Sequence, residues 1–400
     1  MYLIEKMNKD RLIKIFISVL SKARYGSVYL IYNRRIIFCK KFREKGPLAK
    51  IYINDVSCIK NFLLRGEIGW AESYVENLWT TDNLTNFLQW GAMNHRNFVK
   101  YIKGKWYAKI YSRIKHYLNS NTKAGSKRNI TYHYDLGNEF YESWLDKSMT
   151  YSSAIFDSEN QKLYQAQLNK FKKLADMCEV KKDDDVLEIG CGWGAFSIYL
   201  AKTRKAKVTA ITISKKQFEI VKQKIDQEGL GSCVKVKLLD YREIRGTYDK
   251  ILSIEMFEAV GEKYWPIFFD KIKKHLNKKG KIGLQTITIN DSFFQSYRRS
   301  PDFIQTYIFP GGMLASEEAL NKTLKQSGLK VYRRFKFGKH YARTLSEWKS
   351  SFENSWDEIK KFGFDINFKR LWEYYFSYCE GGFKSGNIDV CQFLIGKEDN

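Results

Sequence analysis

The stretch Glu188-Ile189-Gly190-Cys191-Gly192-Trp193-Gly194 places three glycines at alternate positions directly behind an apolar run. Glycines at such a turn let the backbone approach a ligand closely and lead the chain into a helix N-terminus. A dinucleotide-binding turn reads G-x-G-x-x-G, with an acid about twenty residues further on for the ribose hydroxyls. Here the spacing is G-x-G-x-G, and the next apolar run ends Thr209-Ala210-Ile211-Thr212-Ile213-Ser214 without a carboxylate. The pattern disfavours NAD and suits S-adenosylmethionine. Asp240, in Leu238-Leu239-Asp240-Tyr241-Arg242, is then placed to reach the adenine, although an aspartate at a strand end is more often simply solvated.

The elements that must hold this turn follow from periodicity. Apolar runs at residues 186–189, 208–213, 234–239, 251–254 and 282–289 alternate with helical segments, the signature of a parallel α/β sheet. Two further runs, at 331–337 and 390–395, flank a helical insertion of about forty aromatic-rich residues. The expected fold is α/β, a seven-stranded Rossmann-like sheet of the methyltransferase type. Ahead of it, alternation at 27–40 and 49–56 and the aromatic stretch around Trp70, Trp79, Phe87 and Trp90 predict a small α+β domain. The expected division is 1–118 for that domain, 119–129 for a polar linker and 130–400 for the catalytic domain.

Composition narrows the class. The chain has 400 residues, 44% of them hydrophobic and 28% charged, with 10 Trp, 26 Tyr and 27 Phe, which excludes a disordered polymer and a lone small binding module. Its formal net charge is +25, of which +17 falls in residues 1–128, so long-range attraction to a polyanion is expected, either nucleic acid or an anionic bilayer. The 7 cysteines are scattered and form no C-x-x-C pair, which suggests neither a disulfide framework nor a zinc site and fits a reducing cytosol; no metal is expected. No apolar run reaches the roughly 18 residues of a spanning helix. Leu12, Ile13, Phe16, Val19 and Leu20 share a helical face, read as a first helix docked on the core in preference to an interfacial one.

Several further segments carry a resemblance. They are Asn129-Ile130-Thr131-Tyr132-His133-Tyr134-Asp135-Leu136-Gly137-Asn138, Met149-Thr150-Tyr151-Ser152-Ser153-Ala154, the glycine turn, Met256-Phe257-Glu258-Ala259-Val260-Gly261, Tyr307-Ile308-Phe309-Pro310-Gly311-Gly312 and Tyr378-Cys379-Glu380-Gly381-Gly382-Phe383. In this order the chain resembles the cyclopropane-fatty-acyl-phospholipid synthase family over roughly residues 45–397. The resemblance implies a cytosolic enzyme, peripheral to the inner face of the cytoplasmic membrane. It would transfer a methyl group from S-adenosylmethionine to the cis double bond of a phospholipid acyl chain, giving a cyclopropane through a carbocation. It also implies a bicarbonate base, allows a homodimer, and leaves open a reductase partner.

The site residues carried over from the family are uneven in specificity. Tyr151, Ser152, Gly190, Cys191, Gly192, Trp193 and Gly194 match cofactor positions, as do Thr212, Ser214, Gln217, Asp240 and Tyr241. Glu258 and Tyr341 match the bicarbonate pocket, whereas Ser153 and Gln285 stand where the family usually has Cys and often has His. Ser and Gln still offer hydrogen bonds, but Gln cannot titrate. A weaker or displaced base would let the cation undergo a hydride shift, so a methylene- or methyl-branched chain is the alternative product. Cys379 matches a cysteine traditionally described as catalytic, though a buried helical thiol is the better physical reading. Tyr132, His133, Tyr134 and Tyr307 are pocket candidates, each weighed against ordinary structural roles.

Two rivals remain at this level. A nucleic-acid methyltransferase shares the fold and would welcome the basic charge, but no Asn/Asp-Pro-Pro-aromatic loop or Pro-Cys pair is present, so no nucleic-acid partner is expected. A non-catalytic lipid-binding protein would not need intact cofactor motifs.

Overall fold

The computed structural model describes residues 7–102 and 136–398, with the side chains of 99–102 excepted. The linker expected at 119–129 and the candidates Tyr132, His133 and Tyr134 lie outside the described residues. Two compact units are present, and they do not follow the chain in a single cut. One gathers residues 1–118 with 295–308 and 353–387; the other holds 119–294, 309–352 and 388–400.

The first unit opens with the helix Lys9–Leu20, which Asn8 caps through its side chain. Leu12, Phe16, Val19 and Leu20 are buried, as the core-docked reading expects. Strands β1 (Tyr25–Tyr32) and β2 (Arg35–Lys41) form a hairpin whose two turn residues, Asn33 and Arg34, both have positive φ, the requirement of a type I′ turn. β1 also pairs in parallel with β3 (Glu44–Ile53), and β4 (Trp79–Thr80) closes the order β2-β1-β3-β4. β2 is therefore an edge, and its exposed Arg35, Lys40 and Lys41 are the charges that keep edges from pairing. Trp70, Trp79, Phe87 and Trp90 form an aromatic core, with Trp70 and Trp79 stacked at 4.5 Å.

A later part of the chain completes this unit. The helix Ile366–Ser385 lies against the helices Glu67–Val75 and Leu84–Met93. Arg370 Nε donates to the Tyr74 carbonyl at 2.7 Å, and Thr85 Oγ1 donates to Glu380 at 2.8 Å. A Cβ on Gly381 would stand 2.8 Å from the Gln89 nitrogen, so only glycine permits this approach.

The second unit is built on a seven-stranded sheet: β5 (Asp185–Ile189), β6 (Lys207–Thr212), β7 (Val234–Leu238), β8 (Tyr248–Ile254), β9 (Leu276–Ile289), β10 (Leu329–Lys336) and β11 (Ile388–Lys397). The order is β10-β11-β9-β8-β5-β6-β7. β5 to β9 run parallel, while β11 is antiparallel to both β9 and β10. Val186, Leu187 and Ile189 of β5 are all buried because helices cover both faces of a parallel sheet. The order reverses between β5 and β8, the place where such sheets bind ligands beyond their carboxyl ends.

Candidate active site

Three positive-φ glycines shape the turn after β5. Gly190, Gly192 and Gly194 have φ of 79°, 52° and 84°. A Cβ on Gly190 would meet Met256 Cγ at 2.6 Å, so the backbone there runs against its neighbour with no room for a side chain. The turn is fastened by Gly190 and Cys191, whose N–H groups donate to the Ile211 carbonyl at 3.0 and 3.1 Å. Trp193 Nε1 donates to Asn138 Oδ1 at 3.1 Å, and the Cys191 thiol is buried. Behind the turn, buried Glu188 accepts from Ser197 Oγ, and burial pushes its carboxyl up to about 7.

The neighbouring strand ends supply the rest of the cofactor set. Thr212 Oγ1 donates to Gln217 Oε1 at 2.8 Å, and Ser214 Oγ caps the helix Lys215–Gln227 through the Gln217 N–H. Asp240 is 7% exposed, which departs from the solvated alternative: its Oδ1 accepts from the Arg242 N–H at 2.9 Å. Tyr241 beside it is buried edge-on against Phe268. Glycine turn, Thr212, Ser214, Gln217 and Asp240 thus stand at the carboxyl ends of β5, β6 and β7, and the steric closure at Gly190 leaves backbone as the lining. This donor set fits S-adenosylmethionine, which supplies an electrophilic methyl on a sulfonium when bound.

The most informative cluster lies after β8. Glu255 follows the strand with φ of 49°, a left-handed conformation costing a non-glycine residue on the order of 1 kcal/mol. Its Oε1 accepts from the Ser153 N–H at 2.9 Å and from Gln285 Nε2 at 2.7 Å, and its Oε2 accepts from Tyr341 Oη at 2.7 Å. Gln285 is fully buried on β9, and its own Oε1 accepts from Gln392 Nε2 at 3.0 Å, which fixes the amide so that its donors face Glu255. Burial raises the Glu255 carboxyl above its usual range, while Lys170, Tyr341, Ser153 and Gln285 oppose that rise.

The structure therefore brings together Ser153, Gln285 and Tyr341, three of the four residues expected to form an anion pocket, on Glu255, which the sequence reading passed over. The fourth, Glu258, has different partners. Its Oε1 accepts from the Ile287 N–H at 2.6 Å, and its Oε2 is out of reach of solvent with no hydrogen-bond partner. Burial and the neighbouring Glu255 charge push Glu258 up to about 8, so it is mainly protonated near neutrality.

Aromatic side chains wall this cluster. Tyr151 lies 5.2 Å from Trp348 and 5.5 Å from Trp144, and Tyr341 meets Trp348 edge-on at 6.0 Å. Such faces stabilise a desolvated cation by about 2 kcal/mol each. Tyr307 is placed elsewhere, in the first unit, where its hydroxyl donates to Glu72. Cys379 also lies in the first unit, half-buried on the helix Ile366–Ser385, and burial followed by the Asp302 charge holds its thiol well above its usual range.

A family model described as mycolic acid cyclopropane synthetase matches residues 121–393. The chain belongs to that cyclopropane-synthetase family. Within it, the tuberculostearic acid methyltransferase UfaA1 of Mycobacterium tuberculosis is 35% identical over 341 residues, covering 83% of this chain and 79% of that protein. The cyclopropane-fatty-acyl-phospholipid synthase of Escherichia coli is 29% identical over 362 residues, covering 87% and 88%. Among solved structures, the cyclopropane synthase MmaA2 from Mycobacterium tuberculosis aligns with a TM-score of 0.62 at 30% identity, covering 68% of this chain and 98% of that one. The mycolic acid cyclopropane synthase CmaA1, complexed with SAH and CTAB, gives a TM-score of 0.64 at 28% identity, with the same coverages. As a cyclopropane-synthetase family member the chain is an S-adenosylmethionine-dependent methyltransferase. The seven-stranded sheet is the fold that the family expectation implies.

Proposed function

We propose that this enzyme methylates the cis double bond of an unsaturated phospholipid acyl chain and that Glu255, a side chain of the protein, removes the proton that ends the reaction. The observation that carries this reading is the convergence of Ser153 N–H, Gln285 Nε2 and Tyr341 Oη on one carboxylate. Three donors aimed at a carboxylate favour its anion. They occupy three of its roughly four lone-pair positions, which leaves one on Oε2 to accept a proton. On this reading the Glu255 carboxylate does the work of the bicarbonate that the resemblance implies.

The chemistry is balanced with these residues. The alkene π pair forms the bond to the methyl carbon as the carbon–sulfur bond breaks and its pair stays on sulfur. The positive charge is left on the adjacent acyl carbon, faced by aromatic walls. If Glu255 removes a proton from the added methyl, that C–H pair closes a three-membered ring. If a hydride first shifts from the methylated carbon to the cationic one, loss of a methyl proton gives a methylene branch on the chain, which a separate reductase would convert to a methyl branch. The ring is the primary reading. The branched product is the second, and two observations favour it: Gln285 offers no titrating group, and a tuberculostearic acid methyltransferase is among the relatives.

The experiment is incubation of the protein with labelled S-adenosylmethionine and vesicles of unsaturated phospholipid in carbon-dioxide-free buffer. Methylated acyl product at full rate without bicarbonate supports Glu255 as base; a rate that needs added bicarbonate refutes it. Mass spectrometry and chromatography of the acyl chains separate ring from methylene.

Engagement of an anionic bilayer is the accompanying reading. Among the described residues no helix is long and apolar enough to cross a membrane. The basic residues of the N-terminal third, including exposed Arg35, Lys41 and Arg43, supply about 1 kcal/mol each near anionic lipid. Vesicle binding that ignores both salt and the triple change Arg35→Glu, Lys41→Glu, Arg43→Glu would refute it.

A further inference from the structure

Lys170 has no part in the reaction as derived above, yet it is completely buried inside the catalytic unit. It sits on the helix Leu163–Met177 in phase with buried Ala166, Gln167 and Leu174, so its side chain points inward from the helix. A lysine is almost never fully buried without a paired charge. Its Nζ donates to Ser152 Oγ at 2.6 Å, and the next residue, Ser153, presents the N–H that holds Glu255. The carboxylates of Glu255, Asp146 and Glu188 act on it from three other parts of the chain, and the Phe171 ring lies 4.7 Å from Nζ on its own helix. The helix is tied to the same cluster a second time, because Gln392, which orients Gln285, also donates to the Lys170 carbonyl at 3.2 Å.

The charges sort themselves by environment. Glu258 is mainly protonated near neutrality, and Glu188, pushed up by burial to about 7, is partly so. Of the three carboxylates that act on Lys170, Glu255 acts most strongly, ahead of Asp146 and Glu188, and it is the one held by three donors in the reaction cluster. Burial lowers the Lys170 ammonium to about 7, with Glu255 opposing that fall, so each of the two groups favours the charged form of the other.

We propose that Lys170 is a positioning residue for the methyl transfer: its buried ammonium fixes Ser152, one of the residues matched to the cofactor site, and keeps Glu255 ionised as the base. The inference rests on the reading of Glu255 as base. It adds a residue whose contribution is electrostatic and which contacts neither the acyl chain nor the reacting methyl. Ser152 Oγ, occupied as an acceptor by Lys170, has its own proton free to donate to an anionic group of the cofactor.

Two substitutions separate the bond from the charge. Lys170→Gln keeps a donor for Ser152 and loses the cation; Lys170→Met loses both. In each, Glu188 and Glu255 can take up protons, so no buried carboxylate is forced to stay charged. Removing the cation raises the pH at which Glu255 ionises. The acid limb of the kcat–pH profile, measured with labelled S-adenosylmethionine and dioleoyl phospholipid vesicles, is therefore expected to move up by at least one pH unit in both variants. Lys170→Met is expected in addition to weaken S-adenosylmethionine binding at least threefold, read by calorimetry. Melting curves identify the folded variants, and Lys170→Gln carries the test if Lys170→Met does not fold. A purely structural lysine would lower stability and leave the limb in place, and that outcome overturns the proposal. The base assignment is scored separately by Glu255→Gln. An inactive Glu255→Gln with an unmoved limb in the lysine variants sinks the Lys170 proposal alone, and a fully active Glu255→Gln sinks the base assignment.

Discussion

Replacing Glu255 by glycine tests the active site most directly. The substitution removes the carboxylate and leaves three donors, the Ser153 N–H, the Gln285 amide and the Tyr341 hydroxyl, facing a space of carboxylate size. Loss of a general base costs about 10²- to 10⁴-fold in rate, which at 1.36 kcal/mol per decade is about 3–5 kcal/mol of barrier. The fold should survive, because glycine relieves a φ of 49°, which returns on the order of 1 kcal/mol, and a raised buried carboxyl disappears. Bicarbonate is planar, carries oxygens with the spacing of a carboxylate, and can accept from the same donors. The expected result in carbon-dioxide-free buffer is a Glu255→Gly enzyme slower by at least 100-fold. Tens of millimolar bicarbonate should restore it to at least a tenth of the wild-type rate, while leaving the wild type unchanged. The assay is transfer of labelled methyl to vesicle phospholipid. A Glu255→Gly enzyme at wild-type rate without bicarbonate would refute the assignment of the base. A folded but unrescued enzyme would refute the claim that these donors form an oxyanion site.

Other substitutions have equally definite outcomes. Tyr341→Phe removes the donor to Glu255 Oε2 and should lower kcat about tenfold while moving its acid limb to higher pH, because the anion loses a hydrogen bond. Gly190→Ala places a Cβ 2.6 Å from Met256 Cγ at a φ of 79° and should weaken S-adenosylmethionine binding at least tenfold by calorimetry. Glu258, raised to about 8 in the fold, binds more protons folded than unfolded between its ordinary range and pH 8, so wild-type stability should fall as pH rises through that window. Glu258→Gln mimics the protonated form and should flatten that fall, so that its stability relative to the wild type grows from pH 5 to pH 9 in denaturant titrations. Cys379→Ala should keep activity within about threefold, because a thiol held protonated by burial is a poor nucleophile.

Much of the fold is legible in the chain because periodicity and turn chemistry agree. The apolar runs correspond to β5 through β11, although β9 begins at Leu276, well before the apolar run, where Lys278 and Lys279 hide the strand. The candidate site was legible wherever a motif names a residue, as for Ser153, Gln285 and Tyr341. Glu255 was not, since an acid at the end of a strand looks like an ordinary solvated terminus and its left-handed φ has no signature in a side-chain type. Lys170 was hidden by its neighbours: in Lys170-Phe171-Lys172-Lys173 it reads as one more charge on a wet helix face, and only its phase with Ala166, Gln167 and Leu174 marks it as inward. The assignment of residues 353–387 to the first unit was equally invisible, because it depends on contacts made across almost three hundred residues, such as Thr85 with Glu380.

That last feature decides which truncations can be interpreted. A chain cut at residue 118 would not release a self-sufficient enzyme, because the helix Ile366–Ser385 would lose the partners that cover Tyr374 and Gly381 and that accept from Arg370. The stump would carry an orphaned aromatic surface and aggregate, and its failure on vesicles would report misfolding in place of lost membrane affinity. Reversing charges on the β2 edge leaves that internal closure untouched. The N-terminal segment is thus structurally inseparable from chain that follows the glycine turn by well over a hundred residues, and only point changes can dissect what it does.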